Sequence, residues 1–373
     1  MDLDTKYIGV ALFLLKKIIG RTFPNPPVVS LVVQSNKNFK ENKIINFGFT
    51  NIGGRPHAEA EALKGIKYES NLKYTLYSTL EPCCHEGRDE SCVSKIIDSK
   101  INRVVYSLKD PDKRVNGKGY SFLTNHGLEV IGGVMKNQAE KIYKGYLYNR
   151  IYNRPKVTLK IGCSLDSKIA FKENERSNIT NKFSNKIVHV LRSEIDAVLI
   201  GANTVRVDNP KLTCRVKGLQ KFSPIRVILS KKLNFNFSSH IFKNCIENPT
   251  IIFTESANIK KVQELEKKKV SVVGIEKNRF KLTTILKHLA KLNIFNLLVE
   301  GGSEIFSAFV NQRLVDEVLI FRSNYFVGSE GKDIFTDGYK ITNGKDGFLL
   351  RRSHQIDDNL LEVFEKKNKL KEK

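Results

Sequence analysis

Apolar and polar positions alternate along the chain in short segments of two kinds. Near the start, Tyr7, Ala11, Leu14, Leu15 and Ile18 recur at helical spacing and predict an amphipathic first helix. A Pro/Asn-rich loop, Arg21–Pro27, leads into the apolar run Val28–Val33, which reads as a buried strand. A second strand around Ile44–Phe49 precedes the loop Asn51–Pro56, whose Gly53–Gly54 pair marks a turn. Helix Ala58–Ile66, strand Tyr74–Ser78, a polar cysteine-bearing loop Glu81–Ser91 and helix Val93–Lys100 follow. Strand Arg103–Ser107, a Gly/Asp/Asn loop to Gly119, a helix to Asn125 and strand Glu129–Val130 complete the region. Strands separated by helices predict a layered α/β domain.

A Tyr- and Arg/Lys-rich helix, Lys141–Asn153, runs up to Arg154–Pro155, which reads as a linker. Beyond it a second α/β region begins with strand Lys156–Ile161. Its further strands are Ala197–Ile200, Ile225–Leu229, Thr250–Phe253, Val270–Val273, Asn296–Val299 and Glu317–Phe321. The expected organisation is two domains, 1–150 and 151–373, with no internal repeat and no low-complexity tract.

Composition changes this picture only through charge. Apolar residues at 40% and charged residues at 27% are those of a folded protein and exclude wholesale disorder. The formal net charge of +24 suggests a polyanionic partner: nucleic acid, an anionic membrane or a phosphorylated substrate. Residues 1–150 carry +8 and residues 151–373 carry +16, so the surplus is spread along the chain. Only Lys260–Lys269 and Lys366–Lys373 form local clusters, and the bulk of the charge reads as solvated surface. The apolar stretch Tyr7–Leu15 is far shorter than a bilayer span, follows an acidic start and precedes no small-residue cleavage site, which predicts neither membrane anchor nor leader. Six cysteines without a secretion signal point to a reducing, cytoplasmic setting, where clustered thiols read first as metal ligands.

The chemistry concentrates at His57-Ala58-Glu59, followed by Pro82-Cys83 and by Cys92 nine residues further on. Zinc in hydrolytic sites takes three protein ligands and keeps one position for water, a count that His57, Cys83 and Cys92 meet. Glu59, two residues from a ligand, is placed to shuttle the proton of that water. An isolated His-x-Glu is common, but its pairing with Glu81-Pro82-Cys83 and a glycine-containing loop gives the arrangement of zinc nucleobase deaminases, which replace a ring amino group with oxygen. Cys84, adjoining Cys83, is a poor second ligand; Cys163, Cys214 and Cys245 stand alone.

The segment Thr79–Cys92, TLEPCCHEGRDESC, resembles the zinc loop of the bifunctional riboflavin-biosynthesis deaminase/reductase family, with its long Cys–Cys spacing and a His and a basic residue between. Further likenesses are Thr22 with Pro24-Asn25-Pro26, the run His57–Leu63, and Asp110-Pro111 with Gly117-Lys118-Gly119. The second region adds three blocks, Val157–Ala170, His189–Arg215 and Leu297–Phe309. In the last, a strand ending in Gly-Gly and opening a helix presents backbone N–H groups to an anion such as a cofactor phosphate.

The resemblance implies a cytidine-deaminase-like three-layer α/β/α domain followed by a dihydrofolate-reductase-like α/β domain. It implies zinc-dependent deamination of 2,5-diamino-6-(5-phosphoribosylamino)pyrimidin-4-one, then NADPH-dependent reduction of the ribosyl group to ribityl. Asn25, His85 and Arg88 would contact the first substrate. Gly162, Asn178, Thr204, Asp208, Gly302 and Ser303 would contact NADPH, with Ser230-Lys231-Lys232 near its 2′-phosphate. Lys160, Arg176, Arg192, Leu212, Arg215 and Glu300 would contact the second substrate.

The chain departs from the family where Val29 replaces Gly, Thr50 replaces His, Asp89-Glu90-Ser91 replaces Thr-Pro-Pro, and Arg176–Thr180 replaces Ser-x-Trp-Ile-Thr. The expected partner is a small phosphoribosylated pyrimidine, not nucleic acid or membrane, with a homo-oligomer left open. A nucleic-acid-acting zinc deaminase is the alternative, which would use the positive charge but has no need of the Val157–Phe309 blocks.

Overall fold

The computed structural model describes residues 2–36, 42–85, 90–336 and 347–367. It divides into two units, Met1–Asn153 and Arg154–Lys373, so the division falls at the Arg154–Pro155 segment, just beyond the expected boundary at 150.

In the first unit, among the described residues, five strands form one sheet in the order β2-β1-β3-β4-β5. They are β1 (Val29–Ser35), β2 (Asn42–Phe49), β3 (Lys73–Leu80), β4 (Arg103–Leu108) and β5 (Glu129–Gly132). β1 runs antiparallel to β2 and β3, whereas β3, β4 and β5 are parallel. The helices are α1 (Leu3–Leu15), α2 (Ala58–Leu63), α3 (Cys92–Ile97), α4 (Lys118–Asn125), α5 (Lys136–Ile142) and α6 (Lys144–Tyr152). The helix expected over Lys141–Asn153 is thus interrupted at Tyr143.

Helix α1 begins at Asp2, whose carboxylate accepts the Thr5 amide at 2.8 Å. Its buried stripe is Tyr7, Ile8, Ala11, Leu12 and Leu15, which adds Ile8 and Leu12 to the expected face; the helix stops before Ile18, and Leu14 is only half-buried. Arg103 on β4 donates to Asp4 at 2.7 and 2.8 Å and Tyr77 on β3 donates at 2.9 Å, which ties α1 to the sheet. On the sheet's other contact, a Cβ at Gly48 would lie 2.2 Å from the Ala58 carbonyl oxygen. The absence of a side chain there lets β2 approach α2, the helix that follows His57 and bears Glu59.

In the second unit, the described residues form a nine-stranded sheet in the order β11-β10-β9-β8-β12-β6-β13-β16-β15. Its strands are β6 (Lys156–Cys163), β8 (Ala197–Gly201), β9 (Ile225–Leu229), β10 (Thr250–Thr254), β11 (Ser271–Gly274), β12 (Asn296–Val299), β13 (Glu317–Arg322), β15 (Phe348–Ile356) and β16 (Asn359–Lys366). A small ribbon pairs β7 (Lys168–Ala170) with β14 (Lys332–Asp333). The strands from β11 to β13 are parallel, and β8 and β10 are buried along their whole length, as continuous apolar runs require.

The antiparallel β15–β16 hairpin, which the hydrophobic pattern does not announce, closes the edge. β15 is exposed over most of its length, so it lacks the apolar alternation that marks a half-buried strand. The helices are α7 (Lys182–Ser193), α8 (Ala202–Asp208), α9 (Ile259–Lys267), α10 (Leu282–Lys291) and α11 (Ser303–Asn311). No helix among the described residues is long and apolar enough to cross a membrane.

Candidate active sites

His57 is the residue that precedes α2, Cys83 follows β3 in the loop, and Cys92 opens α3. Three segments far apart in sequence thereby bring one nitrogen and two sulfur atoms within 4.8 Å of one another. His57 Nδ1 lies 3.3 Å from Cys92 Sγ and 3.5 Å from Cys83 Sγ. Tetrahedral zinc with bonds of roughly 2.1 Å to nitrogen and 2.3 Å to sulfur sets its ligand atoms about 3.6 Å apart. The donor set and its spacing fit that ion. Hydrogen bonds from the Cys92 thiol and the His57 imidazole hold the Cys83 thiol well below its ordinary range, which favours the thiolate a metal needs. Cys84 points elsewhere, toward the Arg114 carbonyl at 3.5 Å.

Glu59 is 3% exposed, and burial pushes its carboxyl up from the ordinary range. Its Oε2 lies 3.4 Å from Cys92 Sγ, so it sits at the edge of the donor cluster. Ser91 caps α3 by accepting the Ser94 amide at 3.1 Å; where the family has a proline, this residue starts the helix that carries Cys92. Glu81 is buried and accepts three backbone amides, from Asp110, Gly117 and Tyr120, at 3.0–3.2 Å. That carboxylate ties the Asp110–Gly119 loop beneath the zinc loop, so the two motif segments act as one structural piece.

The pocket around this cluster has a volume of about 120 Å³. Asn25 and His85, both expected there, line it, whereas Arg88 lies outside the described residues. The Asn25 amide donates to the Gly54 carbonyl at 2.8 Å and lies 3.4 Å from His57 Nε2. His85 Nδ1 is buried without a hydrogen-bond partner among the described residues, and burial keeps the imidazole below its ordinary pKa. Thr50, the residue in place of a family His, accepts the Val28 amide at 3.0 Å. Arg55, Arg114 and Arg150 also line the pocket and were not singled out from the sequence. Arg114 and Arg150 are both paired to Asp112, at 2.8 and 3.1 Å, and nothing in their local sequence separates them from the many surface cations.

In the second unit, Glu300 follows β12 and is buried. Arg192 on α7 grips it through two bonds of 2.7 and 2.9 Å, and Lys160 on β6 approaches to 3.3 Å. Burial would raise this carboxyl, but the Arg192 and Lys160 charges hold it at about 2. Arg215 is pushed below its ordinary value by burial and by the charges of Arg192 and Arg176. Asp208 is raised by burial and lies within electrostatic reach of Arg176, Lys160 and Lys332. Lys160, Arg176, Arg192, Asp208, Arg215 and Glu300 therefore form one charged neighbourhood with cations in excess. Leu212 is different: its side chain is buried in the core with Val198, Ile200 and Ile228.

A neighbouring cleft of about 440 Å³ is lined by Thr204, Gly302 and Ser303, together with Lys231, Arg206 and Lys332. Gly302 precedes α11 in extended conformation, and a Cβ there would meet no protein atom within 4 Å. The cleft thus offers the free amides of a helix N-terminus beside open space and several cations, a donor set that fits a phosphorylated dinucleotide. Gly162 lies within β6, opposite Phe321, and Asn178 is exposed; neither lines this cleft. Lys332 was missed because it is a lone lysine on a two-residue strand, and only the fold brings it to both the cleft and the charged neighbourhood.

Residues 1–108 match the cytidine and deoxycytidylate deaminase zinc-binding region, and residues 155–360 match the RibD C-terminal domain. The riboflavin biosynthesis protein RibD of Aquifex aeolicus is 39% identical over 333 residues, covering 89% of this chain and 90% of its own. Acinetobacter baumannii RibD is similar in structure at a TM-score of 0.87 and 27% identity, with 98% of this chain and 99% of that one covered. A diaminohydroxyphosphoribosylaminopyrimidine deaminase/5-amino-6-(5-phosphoribosylamino)uracil reductase from Thermotoga maritima gives 0.82 at 34% identity, with the same coverage. Both halves, in this order, are those of RibD, and the chain belongs to that family of riboflavin-biosynthesis enzymes, which join a zinc-dependent deaminase to an NADPH-dependent reductase in one polypeptide.

Proposed function

We propose that the first unit deaminates 2,5-diamino-6-(5-phosphoribosylamino)pyrimidin-4-one and that the second reduces the ribosyl group of the deaminated product to ribityl. The observation that carries the reading is the convergence of His57, Cys83 and Cys92 beside a buried Glu59. These three side chains would hold zinc, which would supply the activation of water at neutral pH. Glu59 takes a proton from the attacking water and delivers it to the amino nitrogen that leaves as ammonia. Asn25 holds the pyrimidine edge. His85, with its unpartnered Nδ1, and Arg88 of the same loop receive the ribose phosphate.

In the second unit NADPH supplies the hydride. Gly302, Ser303 and Thr204 line the cleft that would receive it, and Gly162, Asn178 and Asp208, outside that lining, are the further contacts the resemblance implies. Lys160, Arg192 and Glu300 form a fixed charged wall for the substrate. Arg176 and Arg215, which that single carboxylate does not neutralise, attract its phosphate. Leu212 contributes through its backbone, since its side chain is spent on the core. None of the six cysteines is paired in a disulfide, and the reducing setting that keeps ligand thiols available supports a cytoplasmic location.

The test is to supply the phosphoribosylated diaminopyrimidine with and without NADPH and to follow the products by mass. One amino group should be replaced by oxygen in both cases, with a gain of two hydrogens only when NADPH is present. Release of ammonia from RNA or DNA oligonucleotides, with none from the small substrate, would overturn the reading.

A further inference from the structure

We infer that Ser78, backed by Ser30, is a positioning residue for Glu59 in the deamination step; the inference rests on Glu59 being the proton carrier. Ser30 on β1 and Ser78 on β3 stand directly opposite each other in an antiparallel pair, so their side chains share one face of the sheet. Both are fully buried. Ser30 Oγ lies 3.1 Å from Ser78 Oγ, and Ser78 Oγ lies 3.3 Å from Glu59 Oε1. The next residue, Thr79, points to the opposite face and meets Tyr143 at 2.8 Å, as strand alternation demands.

The chemistry of the groups orders this chain. Ser78 Oγ donates to Glu59 Oε1 and accepts from Ser30 Oγ, since a hydroxyl has one proton to give and lone pairs to receive another. The result is a directed relay of two hydroxyls that ends on one oxygen of Glu59. The other oxygen faces Cys92 at 3.4 Å, toward the ligand cluster. Ser78 is the hydroxyl donor to Glu59 among the described residues. One carboxylate oxygen is thus tethered while the other stays available for proton transfer. No motif in the sequence marks either serine, because each reads as an ordinary strand residue.

The experiment compares Ser78→Ala, Ser78→Thr and Ser30→Ala with Glu59→Gln, measuring kcat and KM for ammonia release and zinc content. Ser78→Ala should keep its zinc and its KM while kcat falls about 10- to 100-fold, the range for residues that orient active-site groups. Ser78→Thr, which keeps the hydroxyl, should recover most of the loss. Ser30→Ala should lower kcat by a smaller factor, since Ser78 can still donate. Parent kcat in Ser78→Ala overturns the inference, as does a loss carried by KM or zinc content, or one that Ser78→Thr fails to recover. If Ser78→Ala does not fold, parent kcat in Ser30→Ala overturns it equally. Parent kcat in Glu59→Gln is a separate failure, that of the proton-carrier reading itself.

Discussion

The two candidate sites are built on opposite plans. In the first unit the reactive groups come from short loops and helix starts around β3, and three ligand atoms must share one metal, so their positions are fixed to a few tenths of an ångström. In the second, the groups are spread from Lys160 to Lys332 and hold one another by charge, with Glu300 between Arg192 and Lys160 and further cations around them. A metal centre demands few residues of definite type. A dinucleotide and sugar-phosphate site can be assembled from many interchangeable donors, so a charge network and a helix end suffice. The first plan leaves a short signature in the sequence and the second does not.

Breaking the first plan should produce the largest effect. Cys83→Ser removes one of three ligands and should abolish zinc retention and ammonia release together, while reduction of separately supplied deaminated substrate continues. Elemental analysis and the two half-assays check this, and a zinc-free variant that still deaminates would remove the contrast between the sites. In the second unit, Glu300→Gln leaves Arg192 buried without its counter-charge and should cost about 3–5 kcal/mol of stability at neutral pH.

The pH dependence of that loss sharpens the comparison. The Glu300 carboxyl is depressed from 4.5 to about 2 in the folded protein, so its stabilising effect is complete above the ordinary value and is lost as pH falls through the folded one. Chemical denaturation of parent and Glu300→Gln should therefore give curves whose separation is constant near neutrality and closes between about pH 4.5 and 2. The smallest effect is expected at Gly302→Val. Its side chain would enter open space beside the N-terminus of α11, raising the KM for NADPH about tenfold, a cost of roughly 1.4 kcal/mol in binding, with thermal stability unchanged. An unaltered KM would show that the cofactor phosphates do not use this helix end.

The same contrast explains what was legible in advance. Strands β8 and β10 of the second unit are buried along their whole length and stand out as apolar runs, whereas β15 is largely exposed, carries no periodic signal and was not foreseen. His57, Glu59, Cys83 and Cys92 were readable because zinc chemistry restricts the residue types and their spacing. Arg55, Arg114, Arg150 and Lys332 were not, because a cation in a lysine-rich chain gains meaning only from its neighbours. Leu212 shows the converse: the resemblance assigns it to substrate, and packing commits its side chain to the core.

By itself the sequence pointed to two α/β units with an expected boundary at 150 and to His57, Cys83 and Cys92 as a ligand set, because hydrophobic periodicity and ligand chemistry are local properties of the chain. The tertiary structure alone decided which face of β3 meets Glu59, which cations gather around Glu300, and how Glu81 binds the Asp110–Gly119 loop to the zinc loop. Each of these depends on register and on close packing between segments distant in sequence. A one-residue slip of β3 would turn Ser78 away from Glu59 and bring Thr79 to it, with no change in composition or motif.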